Sequence, residues 1–498
     1  MHLFAVRDAL TAYEQARQIV KERMARSQRD DAAVRSGLRH VYERLGRAYE
    51  LINDGEQAQA VYREQLISAR EAQMPEMEIA ALNHLATLAA QNSSQRGRAR
   101  RLLQEAHMRA EESDDRIELA KTEWNLAQVS YYDFDMQAAL HHCTKALRLA
   151  EILQLSELQA QCLNTLAYSK RSLVLWPEAV EDAEQARSLY ALLGNRAMEA
   201  DCLGLIADLQ ISDGLLLIGI ETARTAYNIS RQIENPWGIV NNALHLIRGL
   251  MEIGAYEEAL EIAGQSIPLA RTLPFQLLLL LTLMTVGAIH RALFQITQAR
   301  LAHQEALEIS RTLPSQRYMA YCFAELCADE AVADAWEEAH TYAKQALAVR
   351  DPQVLIWVAS PRWLETEALV RAGDIKEAQD DVQRFSAQAQ RRRRCRIAFL
   401  RACAVLEHMN GNKNQASLSL HEAAQLAEEI GLPGEQWRIL TTLGEMYEQR
   451  NMPEQAHEAY ARAATTLTTL TNSIRDETLR QDFLAVPQVR CVLQRCVE

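Results

Sequence analysis

Glycine and proline are scarce in this chain. There are 18 glycines and 11 prolines in 498 residues, against roughly 35 and 25 at average usage. So few turn residues exclude an ordinary β-sandwich, propeller or Gly-punctuated α/β fold. Aromatic residues are 6% of the chain. Basic charge is also in deficit: 53 Lys and Arg against 66 Asp and Glu give a net charge of −13. Such a balance does not build the footprint duplex DNA requires, although it leaves room for one local basic face. No CxxC pair occurs among the nine cysteines; the nearest pairs are Cys322/Cys327 and Cys491/Cys496. They read as small buried hydrophobes in a reducing cytosol. The N-terminus carries no signal-peptide pattern, so a cytoplasmic location is expected.

Catalytic phrases are missing too. There is no GxxxxGK[ST] phosphate loop, GxSxG, HExxH or dinucleotide GxGxxG. The expectation is a chain that is not an enzyme, with no cofactor and no metal. Asp133 and Asp135 have no calcium-loop glycine or twelfth-position glutamate; they read as helix caps. His141, His142 and Cys143 are consecutive, and neighbours on a helix diverge. Residues 275–289 are strongly apolar but too short for a membrane span. They keep the phase of the repeat described next, so a buried helix is expected.

What is present is apolar residues at 48% and charged residues at 24%, the balance of a globular chain. A phrase recurs, as in GEQAQAVYREQL, DMQAALHHCTKAL, AWEEAHTYAKQAL and MPEQAHEAYARAA. Each copy fixes one small residue: Ala58, Ala99, Ala139, Ala179, Gly219, Ala259, Ala299, Ala339, Ala378, Ala416 and Ala456. The steps are 41, then 40 six times, then 39, 38 and 40. Twelve residues earlier, or thirteen for Ala86, most copies carry another small residue, including Gly46, Ala86, Ala127, Ala167, Ala207, Gly287, Ala404 and Gly444. A third follows seven residues after the anchor, as at Ala106, Ala146 and Ala463. Small sites at these offsets predict two antiparallel helices in close contact, with larger residues filling the seam.

The pattern resembles the tetratricopeptide repeat (TPR) in a forty-residue form. The marks are Leu45, Gly46 and Tyr49, Leu443, Gly444 and Tyr447, then Ala456, Tyr460 and Ala463. The resemblance implies an all-α, right-handed superhelical solenoid of about eleven repeats over residues 37–471. The family's proline after the second helix is mostly absent, though Pro75, Pro274, Pro314 and Pro433 fall near repeat ends. Repeats six and nine depart most, with Ile247 and Thr366 at the small site. Residues 1–36 read as a half repeat and linker: a second helix over 8–24, then about nine extra residues around 26–35. Either something precedes Met1 in the natural protein, or this helix caps alone.

Residues 472–498 leave the repeat and read as capping helices. Ile474, Asp476, Leu479, Arg480, Phe483 and Leu484 also match an ending, I-x-D-x-x-L-R-x-x-F-L, similar to that following the last repeat in many bacterial multidomain regulators. In those, a STAND-type signalling NTPase precedes the repeats. The resemblance therefore implies the sensor arm of a bacterial signalling or transcription regulator, with an NTPase or effector domain as a partner in the same natural chain.

In a TPR superhelix the first helices line the concave groove. The groove-facing positions here are Glu43, Arg47, Asn83, Thr87, Trp124, Gln128, Tyr131, Asn164, Tyr168 and Arg171. Asp208, Arg248 and Arg291 continue the line in weaker register. Amides satisfy the bare N–H and C=O groups of an extended peptide, and aromatics supply contact area at low rotamer entropy. A protein or peptide partner is expected, with no membrane. A turn carrying Leu215, Leu216, Leu217 and Ile218 suggests an interface, hence the alternative of a scaffold or assembly subunit. Arg391, Arg392, Arg393, Arg394 and Arg396 form a basic run. It reads as a solvated charge run, with nucleic-acid contact as an alternative, though nucleic acid is not the expected partner.

Overall fold

The chain was analysed as a computed structural model. It describes residues 2–26, 32–52, 54–90, 92–273, 276–313, 316–350 and 362–495. Met1, residues 27–31 of the expected insertion, Phe275, Pro274, Pro314 and Cys496 lie outside this set. The described residues are helical throughout, without strands. The helix His2–Arg26 is followed by eleven helix pairs among the described residues. The first is Ala32–Leu51 with Gly55–Glu71; the last is Pro433–Glu448 with Pro453–Ser473. Two short helices, Glu477–Ala485 and Pro487–Arg495, close the chain. The architecture is an all-α repeat solenoid in which consecutive helices pack on one another. The chain divides into two compact units, Met1–Gly194 and Asn195–Glu498.

The forty-residue period has a steric cause. The anchor alanines from Ala58 to Ala416 are fully buried, and Ala456 nearly so. Three first-helix sites carry glycine for a visible reason. A Cβ on Gly46 would overlap the ring of Tyr62, one on Gly287 the ring of His303, and one on Gly444 the ring of Tyr460. In each case the ring lies sixteen residues on. Where that position is small, as at Cys143 and Ala183, the facing residue is alanine (Ala127, Ala167). Ile247 and Thr366 are nonetheless buried. In repeat six the close approach moves two residues on, to Gly249, where a Cβ would meet Ile220 at 2.6 Å.

The turns explain the shortage of glycine. Left-handed backbone recurs at Asp114, Gln154, Gly194 and Glu234, and again at Phe134, Val174, Gly214, Gly254, Phe294 and Asp334. Each series steps by forty residues. Most of these sites carry an L side chain at φ between 51° and 66°, a cost accepted repeat after repeat. Asp135 caps its helix, accepting from the Ala138 N–H at 3.0 Å.

The first unit begins with His2–Arg26, whose Leu10, Tyr13 and Val20 pack against Leu38, Tyr42 and Leu45. Arg17 ties this helix to Glu64 at 2.8 Å. In the second unit, the expected buried helix runs Leu277–Ala292, with Leu278, Leu280, Leu283 and Ile289 in the core. No helix of the described residues is long and apolar enough to cross a membrane.

The second unit also folds back on itself. One apolar core joins residues 207–293 to residues 397–492. Phe483 and Trp437 lie against Phe294, at centroid distances of 6.2 and 6.4 Å. Glu257 accepts from the Arg475 N–H at 2.7 Å. Phe483, Val489 and Val492 of the two last helices are all buried here. These helices therefore cover the last repeat and also reach repeat six and the turn of repeat seven.

Candidate functional site

Two places in the chain gather polar and aromatic side chains, one in each unit. In the first unit they lie on the first helices of repeats one to four: Ala32–Leu51, Pro75–Ala90, Arg116–Tyr132 and Ser156–Ser172. A ladder crosses these helices. Asn125 Nδ2 donates to Asn83 Oδ1 at 3.2 Å, and Asn83 Nδ2 to Glu118 Oε2 at 3.3 Å. Glu118 also takes Arg39 at 2.7 Å and Lys121 at 2.8 Å, while Arg39 bonds Glu43 at 2.8 Å. Further along, Thr165 Oγ1 accepts from Trp124 Nε1 at 3.1 Å and from Gln128 Nε2 at 2.7 Å. Tyr131 meets Tyr168 edge-on at 6.4 Å, and the Arg171 guanidinium lies 5.4 Å from the Tyr168 ring.

Most expected groove residues of this unit are therefore brought together. Asn83 and Asn164 are buried; Glu43, Trp124, Gln128, Tyr131, Tyr168 and Arg171 are half-buried; Arg47 and Thr87 are exposed. Sequence reasoning missed two buried carboxylates. Glu118 organises the face, buried under Arg39 and Lys121. Glu123 turns instead to the second helices, taking His142 at 2.6 Å and His107 at 3.1 Å. Burial opposes its charge, but His142 and Lys145 hold its pKa below the ordinary value. Adjacent His141 and His142 do not converge, since only His142 reaches Glu123. Among the described residues, no group of three or more metal-capable side chains forms.

The continuing positions behave differently. Asp208 and Arg248 are buried and ion-paired, with Arg248 also donating to Ser212 at 2.7 Å. Arg291 is buried between Glu325 at 2.6 Å and Asp329 at 2.9 Å. Leu216 sits in the core, whereas Leu215, Leu217 and Ile218 are 50%, 75% and 57% exposed.

In the second unit the fold-back borders a half-open cavity of about 530 Å³. Its wall is drawn from repeats six to eleven and the last helix, and includes Tyr256, Phe294, Trp336, Trp363 and Trp437. The basic run enters this wall. Arg394 is buried and bonds Glu252 and Glu435, each at 3.2 Å; Arg393 pairs with Glu429 and Arg396 with Glu422. Arg392 is buried as well, and the side chain of Arg391 lies outside the described set. The run is thus divided: Arg393 and Arg396 are exposed and pair with acids at the surface, as expected of a solvated run, whereas Arg392 and Arg394 are buried, against that expectation. The helix Arg393–Met409 starts against Glu252 and Glu435, which draws alternate arginines inward.

Glu435 is shared by Arg394 and Arg401. Burial alone raises its pKa, yet Arg401, Arg394 and Arg438 together hold it down at about 2. Arg401 stacks 3.6 Å from the centroid of Trp363; burial, with Arg438 nearby, brings its own pKa down to about 10 despite Glu435. Arg438 donates to the Ala292 carbonyl at 3.1 Å and lies 5.2–5.3 Å from the rings of Phe294 and Trp437. It has no ion pair among the described residues.

With the geometry in view, the chain can be set against known proteins. No family model matches it, and no curated protein matches it. Its fold is similar to that of a chain in the APC/C hetero-tetramer Cut9–Hcn1: 14% identity, TM-score 0.52, covering 99% of this chain and 95% of that one. A Rap protein complexed with competence and sporulation factor is also similar at 14% identity and TM-score 0.49, over 80% of this chain and 99% of that one. What is shared with the Cut9–Hcn1 chain is the fold, a TPR-type helical repeat.

Proposed function

We propose that this chain is the partner-sensing arm of a bacterial signalling or transcription regulator. It holds a protein or extended peptide on the first-helix face of repeats one to four. The supporting observation is the series of contact groups from Arg39 to Arg171, which places amide, aromatic and cationic groups on successive first helices. Binding would act by differential affinity, favouring one arrangement of the repeats over another. An upstream NTPase in the same natural chain would read that change. The reading frame ahead of Met1 tests that part directly: an in-frame phosphate loop supports it, and a stop codon there removes it.

The binding site is tested with peptides selected from a random display library on the immobilised chain. Trp124 is a poor target, because it packs against the core around Cys143 and Leu166 and its truncation would loosen the repeat. The double variant Tyr131→Ala/Tyr168→Ala removes accessible area instead. Affinity should fall by about thirtyfold, the scale of an aromatic hot spot. Selected peptides that bind the folded double variant equally well would place the site elsewhere.

A second reading rests on Leu215, Leu217 and Ile218, whose exposure fits self-association in a scaffold. Light scattering decides it: a strict monomer at high concentration removes it.

A further inference from the structure

The cavity of the second unit carries a separate chemistry. Its volume, about 530 Å³, lies in the range of small-molecule sites. Around Glu435 three arginines face two carboxylates: Arg394, Arg401 and Arg438 against Glu252 and Glu435. Arg394 and Arg401 are ion-paired. Arg438 lines the cavity and bonds only the Ala292 carbonyl, so most of its N–H donors have no protein acceptor among the described residues. A guanidinium in such a place is completed by an anion. Around it stand the rings of Phe294 and Trp437, and the Trp363 ring lies across Arg401.

Of the other acids of the wall, Glu367 pairs with Arg371. Asp334 and Glu445 are exposed, where solvent screens their charge; Asp334 also accepts from Trp336 Nε1 at 2.6 Å.

We infer that this cavity is a binding site for a small organic monocarboxylate with an apolar, planar body, its carboxylate on Arg438 and its body between Phe294, Trp437 and Trp363. Arg291, Arg394 and Arg401 of the wall are already ion-paired, so the one guanidinium left for a ligand matches a monoanion, whereas a phosphate dianion would bring a second charge with no second unpaired arginine in the wall among the described residues. The inference is independent of the peptide face, which uses other residues in the other unit, so either can fail without the other.

Calorimetry on the full chain tests it with three probes: 3-phenylpropionate, its neutral amide, and inorganic phosphate. The expected result is saturable binding of the acid at about millimolar concentration, with the amide at least about tenfold weaker, the loss of one charge-assisted hydrogen bond. Phosphate should neither bind nor compete. Arg438→Gln should erase the difference between acid and amide, and Arg438→Lys should keep part of it. Should Arg438→Gln fail to fold, Thr441→Phe fills the cavity without touching a charge and should abolish binding of both organic probes. No saturable binding of the acid, equal binding of acid and amide, unchanged discrimination in folded Arg438→Gln, undiminished binding in folded Thr441→Phe, or competition by phosphate would each overturn the inference.

Discussion

The two units are built from one repeat and put it to opposite uses. In residues 2–194 the side-chain bonds between first helices mostly join residues 35 to 42 apart, and the longest, Arg39 to Glu118, joins residues 79 apart. Contacts there stay within one or two repeats, close to the behaviour of nearest-neighbour solenoids. In residues 195–498 the fold-back contacts join residues 142, 146 and 218 apart. The first pattern gives a face built from near neighbours. The second gives a half-open cavity whose stability depends on distant segments meeting. Charge follows the same division. Carboxylates of the first unit are shared among several partners, Glu118 between Arg39 and Lys121 and Glu123 among Lys145, His107 and His142, whereas the cavity leaves Arg438 without an ion pair among the described residues.

Breaking the closure should have the largest effect. Phe483 is 1% exposed and touches Phe294. Phe483→Ala should cost about 3–5 kcal/mol, with amide exchange rising around Phe294 and Trp437 and unchanged in residues 2–194. Exchange rising equally in both units would show that they are not separately stabilised.

Enlarging the seam comes next. Ala259 and Ala299 are fully buried, so Ala259→Leu or Ala299→Leu should each cost about 1–3 kcal/mol by overpacking. Neutral results in denaturant titrations would mean the helix register is wrong there.

A third effect is in pH. The folded pKa of Glu435, about 2, lies below that of an ordinary carboxylate. Its contribution is therefore fully present above about pH 4.5 and is lost as pH falls from there through about 2. Glu435→Gln should flatten that part of the stability–pH curve; an unchanged slope would remove Glu435 from the network.

The smallest effect is a gain. Val174 is a β-branched residue at φ 66°. Val174→Gly should stabilise the first unit by about 0.5–1 kcal/mol, relief of backbone strain exceeding the added chain entropy. A loss, measured by thermal melting, would mean that the Val174 side chain matters more than its backbone.

The repeat was legible because it is steric. Alanine at Ala58 or Ala259 and glycine at Gly46 or Gly287 are required by a neighbouring helix at fixed offset, so spacing alone locates them. The first-helix face was legible in part, since Asn83, Trp124 and Tyr131 hold the same phase. Glu118 was not, because it lies three residues after the capping Asp115 and passes for a first-turn acid. The cavity was invisible. Arg394, Arg401, Glu435 and Arg438 share no period with Glu252 or Phe294, and only the fold-back brings them together. The basic run misled for the same reason: its charge was plain, while the carboxylates that receive it are encoded far away, at Glu252 and Glu435.

The central claim is that binding of a protein or peptide belongs to the periodic face and not to the cavity of the second unit. The most direct measurement titrates one display-selected peptide against the wild-type chain, Tyr131→Ala/Tyr168→Ala and Arg438→Gln, all confirmed folded. The account predicts about a thirtyfold loss for the first-unit double variant and no change for Arg438→Gln. An unchanged affinity in the double variant with a loss in Arg438→Gln would contradict it, and would move the peptide site into the second unit.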